Sequence, residues 1–224
     1  MEPTADIIDP ERALTLVYAP ARLRPALAAL WRLDERLGSV VATTTEPMIG
    51  AIRLAWWREA LEALDRGPAP DEPLLREIAE ALLPLGIRGV DLAAIEAGWA
   101  ALLDGDPPDD GAIERHGRLR GRLLFGLAAK IVGHEGSKEA AVAGEGWALI
   151  DLGSRMRDPV VTAHAKARAR SCLAGFGSYY WPRALRPLGA LAVLARQDAQ
   201  AEGPRRQASP RRILRALFHR FTGR

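Results

Sequence analysis

Sixteen prolines and 21 glycines cut this chain of 224 residues into short blocks. Almost every block is filled with Leu, Ala and Arg, while the β-forming residues Val, Ile, Thr, Tyr and Phe are sparse. Proline at a block's start suits the first turn of a helix, and glycine or proline after it suits the stop. With Leu and Ala favouring helix and few β-formers to oppose them, the reading is all-α. The blocks fall at about 11–18, 20–41, 47–66, 74–83, 90–103, 113–132, 138–156 and 184–200, with one more after Pro159 that breaks near 175–177. The run 104–111, DGDPPDDG, is a loop, and only 176–181 leaves room for a strand. There is no internal repeat. The length fits one domain with an appendage and a sizeable core.

Charge separates the appendage from the rest. Residues 203–224 hold seven arginines and no acid, whereas the preceding 202 residues carry 24 basic and 28 acidic groups, a balance of −4. We therefore divide the chain into a body, 1–202, and a basic tail, 203–224. A mildly acidic body argues against a nucleic-acid face. The single Cys172 excludes an intrachain disulfide and a cysteine metal cluster, in keeping with a reducing, cytoplasmic setting. No apolar run approaches the roughly 20 residues of a membrane span, and the acidic residues 1–10 lack a signal-peptide core.

Residues 203–210 read as a linker, after which Ser209 caps a helix with Pro210 at its first position. Ile213, Leu214, Leu217, Phe218 and Phe221 share one side of that helix, and Arg211, Arg212, Arg215 and Arg220 lie mostly elsewhere. Either a frayed, solvated tail or a helix that docks on an anionic membrane or a protein partner fits this pattern, with Arg211, Arg212, Leu214, Arg215, Leu217, Phe218 and Phe221 as contacts. On the docking reading, the protein is peripheral to the inner face of a membrane. Deleting 203–224 is then expected to abolish lipid binding and leave the body folded.

Helical periodicity shows which polar residues face inward. Asp34 lies within the stripe Leu23, Leu27, Leu30, Leu37, Val41. Arg53 lies among Ile49, Trp56, Trp57, Ala60 and Leu64, opposite the wet residues Arg58, Glu62 and Asp65. An inward Asp and an inward Arg are costly unless paired. They either satisfy one another in the core or line a polar pocket. Gly117 and Gly121 stand one turn apart on a third inner stripe that also holds Arg120. Glycine in a helix costs up to about 1 kcal/mol relative to alanine, so the pair implies close approach by another helix or by a ligand. Asp34, Arg53, Trp57, Gly117, Arg120 and Gly121 form the candidate ligand-binding set, and Asp34 is the one candidate catalytic residue. Nucleophile-elbow, Walker and Rossmann signatures are missing, and His116, His164 and His219 have no evident ligand partners.

The segment 46–60, EPMIGAIRLAWWREA, resembles a characteristic stretch of the squalene/phytoene synthase family. The 18–41 block resembles that family's first substrate helix, 117–133 its central glycine-containing helix, and 181–188, WPRALRPL, a segment near its C-terminal end. The resemblance covers most of 9–200. It implies the isoprenoid synthase fold, an all-α bundle with a central cavity. It also implies head-to-head condensation of prenyl diphosphates, with magnesium held by two aspartate motifs whose acids stand four residues apart. Carboxylates at i and i+4 share a helix face and can reach one hard-cation cluster.

The chain departs from that pattern. Gly38 occupies the i+4 position from Asp34, and Glu35 points away. In the second motif's region Asp151 is followed at i+4 by Arg155, reversing the charge, and Asp151, Arg155 and Asp158 fall opposite the stripe Val142, Leu149, Leu152, Met156, as a surface ion-pair face would. Two readings follow. One is a non-catalytic member acting as a binding or assembly factor near a membrane. The family includes such a branch, mitochondrial proteins that assist assembly of respiratory complex I. The other is a divergent prenyl transferase with magnesium on Asp34, diphosphate on Arg53 and Arg120, and isoprenoid chains between apolar helix faces.

Overall fold

The computed structural model describes residues 7–203 and 205–224; the acidic start 1–6 and Pro204 of the expected linker lie outside them. Among the described residues the chain is helical with no strand, including 176–181.

Proline and acidic or hydroxyl caps set the helix starts where punctuation placed them. Helix α1 (Pro10–Leu16) begins on Asp9, whose carboxylate accepts from the backbone N–H groups of Glu11 and Arg12. Helices α2 (Arg24–Ala42), α3 (Pro47–Ala63) and α4 (Pro73–Ala81) each carry proline in the first turn. The 90–103 block divides into α5 (Gly89–Ala93), α6 (Glu96–Ala100) and a 3-10 turn. Helix α7 (Asp110–His116) starts on Asp109, passes into a π-helical segment (Gly117–Arg122) and continues as α8 (Leu123–Ile131). Ser137 caps α9 (Lys138–Arg155) and Asp158 caps α10 (Pro159–Leu173), followed by α11 (Arg186–Gln200) and α12 (Pro210–Thr222).

Helix α9 is the axis. It packs against the π-helical segment, α8, α10 and α11, and nearly every residue from Ala143 to Gly153 is buried. Two glycine contacts permit this. A Cβ on Gly121 would stand 2.3 Å from the Gly144 carbonyl oxygen, and one on Gly144 would stand 2.2 Å from that of Gly121. Gly117 presents its bare face to Leu149, whose Cγ lies 2.8 Å from the position a Cβ would take. The helical glycines expected to mark close approach therefore meet another helix rather than a ligand.

The tail is a packed helix. Helix α12 lies along α11, with Ala216 and His219 buried. The Trp181 N–H donates to Gly223 O at 2.8 Å, and the Arg186 guanidinium donates to the carbonyls of Arg220 and Phe221, satisfying groups a helix end leaves open.

Candidate functional site

The centre of the bundle, where the resemblance implies a cavity, is packed at the level of Asp34 with charge and aromatic rings. Asp34 on α2 is fully buried. Its Oδ1 accepts from Arg120 Nε (2.8 Å) and Trp99 Nε1 (2.9 Å); its Oδ2 accepts from Arg120 Nη2 and Arg12 Nη2, both at 2.8 Å. Arg120 Nη2 also reaches Asp151 Oδ2 at 2.8 Å. One guanidinium thus bridges aspartates on two facing helices, α2 and α9. Arg155 closes on Asp151 at 3.1 Å from one turn below, and Arg205 approaches its other oxygen at 3.6 Å.

Aromatic faces wall the cations. The Arg120 guanidinium carbon lies 4.2 Å from the Trp99 ring centre and 4.9 Å from that of Trp147; Arg12 lies 4.7 Å from Trp147 and 5.6 Å from Trp31. Such contacts strengthen when water is excluded. The π-helical segment, which carries Arg120, widens the helix locally, a device common where a side chain must be re-aimed. Gly98 lets α6 reach it, since a Cβ there would sit 2.5 Å from Arg120 N.

His116 completes the arrangement. Its Nδ1–H donates to Gly98 O at 2.8 Å, and its Nε2 accepts from Arg120 Nη1 at 3.2 Å. Because arginine only donates, this ring is held neutral. Burial and the Arg120 charge push its pKa down to about 3. Burial alone would raise the pKa of Asp34 and Asp151, but the arginines override it. Arg120 and Arg12 hold Asp34 well below the ordinary carboxylate range, and Arg120 and Arg155 do the same for Asp151.

A second layer joins this centre to the tail. Arg212 pairs with Glu11 (2.9 Å, Nη2 to Oε2) and with Asp198 (3.0 Å, Nη2 to Oδ2). Arg205 donates to Glu11 at 2.8 Å and Gln207 to Asp9 at 3.0 Å. A groove of about 330 Å³ beside Asp151 is lined by Glu35, Gly38, Ser154, Arg155 and Arg205, among others.

The candidate set separates into three groups. Asp34 and Arg120 face inward and bind one another. Gly117 and Gly121 serve helix packing, and Trp57 is buried in the core with its ring 5.7 Å from Arg36. Arg53 is not inward. It is exposed and donates to Thr44 Oγ1 at 3.1 Å, while the buried side of α3 is Gly50, Leu54, Trp57, Ala60 and Leu61. Asp151 is not on a surface face, because α9 is enclosed on nearly all sides and has no wet stripe. Arg212, expected to face a membrane or partner, is turned inward onto Glu11 and Asp198. Arg12, Trp99, His116 and Arg205 were not identified from the sequence as parts of the site; only His116, one turn before Arg120, offered a positional signal.

These residues do not fit the magnesium clusters that the resemblance implies. The oxygens of Asp34 each accept two N–H donors, and those of Asp151 face Arg120, Arg155 and Arg205. The side chain missing at Gly38 leaves the space taken by the Trp99 ring, whose Cη2 is 2.7 Å from where a Cβ would stand. Among the described residues no group of three or more His, Cys, Asp or Glu side chains is placed to hold a metal ion. A test follows. Gly38→Asp, which restores the i+4 acid, is expected to lower the melting temperature by crowding Trp99, and magnesium chloride is expected not to restore it. A magnesium-dependent rise in that variant would contradict this account.

The helix order, the axial α9 and the two facing aspartates define an all-α bundle of the isoprenoid-synthase kind. The chain belongs to the squalene/phytoene synthase family, whose model matches residues 8–158, from just before α1 to the residue that caps α10. No curated protein and no solved structure gives a significant match.

Proposed function

We propose that this protein is a non-catalytic member of the squalene/phytoene synthase family, acting as a binding or assembly factor rather than as a magnesium-dependent prenyl transferase. One observation carries the reading: Arg12, Arg120 and Arg155 hydrogen-bond the carboxylates of Asp34 and Asp151, the residues in the regions of the two aspartate motifs. Release of a diphosphate leaving group needs cations whose charge is available to it. Here three guanidinium groups are committed to the protein's own acids.

The transferase reading asks Arg53 and Arg120 to hold diphosphate oxygens. Arg53 lies on the outer surface, and Arg120 is fully buried with Nε, Nη1 and Nη2 all engaged. The buried charge centre instead fixes α1, α2, α9 and the π-helical segment as one body, which supports a scaffold role.

Incubation with farnesyl or geranylgeranyl diphosphate and magnesium, followed by product analysis, tests the proposal. The expected result is neither condensed product nor pyrophosphate. Turnover that disappears in Asp34→Asn would restore the transferase reading.

A further inference from the structure

Helix α12 is docked with its polar side toward the protein and its apolar side toward solvent. Arg212, Ala216, His219 and Gly223 face the body. On the other side Leu214 is 66% exposed, Phe218 54% and Phe221 76%. A helix on a globular protein ordinarily buries its apolar stripe against the core. Here the rotation is fixed the other way by three separate contacts: the Arg212 clamp on Glu11 and Asp198, the His219 ring beneath Trp181, and Arg186 on the helix's last carbonyls.

Charge flanks this outward stripe. At about 100° per residue, exposed Arg211 and half-buried Arg215 border one edge; Arg220 lies beyond Leu217 and Ile213 on the other, with its guanidinium 5.1 Å from the Tyr18 ring centre. No acidic residue lies from Gly203 to Arg224. An apolar stripe between arginine borders, on a helix held flat against its own protein, matches an interfacial helix whose aromatic and Leu side chains enter the acyl boundary while arginines meet phosphates. Among the described residues no helix is long and apolar enough to cross a membrane.

We propose that the outward face of α12 docks this protein on an anionic lipid surface. The charge complementarity selects that occupant, since an apolar stripe bordered only by cations suits lipid tails beneath anionic headgroups. The proposal stands whether or not the core binds prenyl diphosphates.

The test is co-sedimentation of the full chain with vesicles of phosphatidylcholine alone or of phosphatidylcholine with phosphatidylglycerol. Deleting 203–224, as the sequence reading suggested, would strip Arg205 and Arg212 from Glu11, Asp151 and Asp198, so the body is not expected to remain intact. The variant is therefore Leu214→Ser/Phe218→Ser/Phe221→Ser, all outside those ion pairs, with circular dichroism to confirm an unchanged fold. Wild type is expected to sediment with the anionic vesicles, about tenfold less with neutral ones, and less again as salt rises. The triple variant is expected to lose binding by at least about tenfold. Wild type that binds neither vesicle, binds both equally, or binds no better than the triple variant would overturn the proposal. Absence of vesicle binding would assign the face to a protein partner.

Discussion

Replacing Asp34 with alanine is expected to lower the folding stability of this protein by about 3–5 kcal/mol, the cost typical of removing one partner from a buried ion pair. Asp34 accepts from Arg12, Arg120 and Trp99, all buried. Without it Arg12 keeps the Trp31 carbonyl at 3.4 Å, Glu35 at 3.9 Å and its contacts with the Trp31 and Trp147 rings. Arg120 retains Asp151 and His116. At roughly 2–4 °C per kcal/mol for a chain of this size, the melting temperature falls by on the order of 10 °C. The double variant Asp34→Leu/Arg120→Met removes the bridge from both sides, and its loss is expected to be smaller than the sum of the single losses. Urea titration of wild type, Asp34→Ala, Asp34→Leu, Arg120→Met and the double variant measures this. A loss within about 0.5 kcal/mol for Asp34→Ala, the range of an ordinary surface change, would contradict the description of the core.

The second large effect is on acid stability. His116 is neutral in the fold, with its pKa lowered from 6.5 to about 3 by burial and by Arg120, against the smaller opposing effects of the Gly98 hydrogen bond, Asp34 and Asp151. Between those limits the unfolded chain binds a proton that the folded chain does not. The stability due to neutral His116 is therefore complete above pH 6.5 and declines as pH falls toward 3, by up to about 1.4 kcal/mol per pH unit. His219, buried beside Trp181 and lowered to about 4, contributes in the same direction over a narrower window. Asp34 and Asp151, held below 3.8, keep their contribution until the pH falls below that value. Between pH 6.5 and 4.5 His116 alone is expected to cost wild type about 2 kcal/mol, and His219 a similar amount. His116→Gln, which can still donate to Gly98 and accept from Arg120, is expected to flatten much of that slope. A variant that declines as steeply as wild type would show that His116 is not held neutral.

Helix starts were legible because proline and capping residues act locally: Pro47, Pro159 and Pro210 begin helices for reasons contained in one turn, although the Ser209 side chain, expected to cap α12, makes no capping bond. The inward setting of Asp34 and Arg120 was legible because each interrupts an otherwise apolar stripe. Arg53 was misread because α3 is apolar on both sides. Met48, Ile52 and Trp56 are exposed, while the buried side includes Gly50 and Ala60, which carry little weight in any hydropathy pattern. Asp151 was misread for the opposite reason, since an enclosed helix has no wet face from which to measure. The partnership of Asp34 with Arg12 and Trp99 spans 22 and 65 residues of chain, and no local pattern encodes it. Nor does sequence reveal that α12 docks by its polar side, which depends on Glu11 and Asp198 being brought together by α1 and α11.

Arginines occupy the carboxylates of Asp34 and Asp151, in the regions where the resemblance to the family implies magnesium-holding acids. Calorimetric titration of farnesyl diphosphate into the full chain, with and without magnesium, tests it most directly. The expected result is no magnesium-dependent binding and no difference between wild type and Asp34→Asn once both are shown to be folded. Binding that requires magnesium and disappears in Asp34→Asn would contradict it.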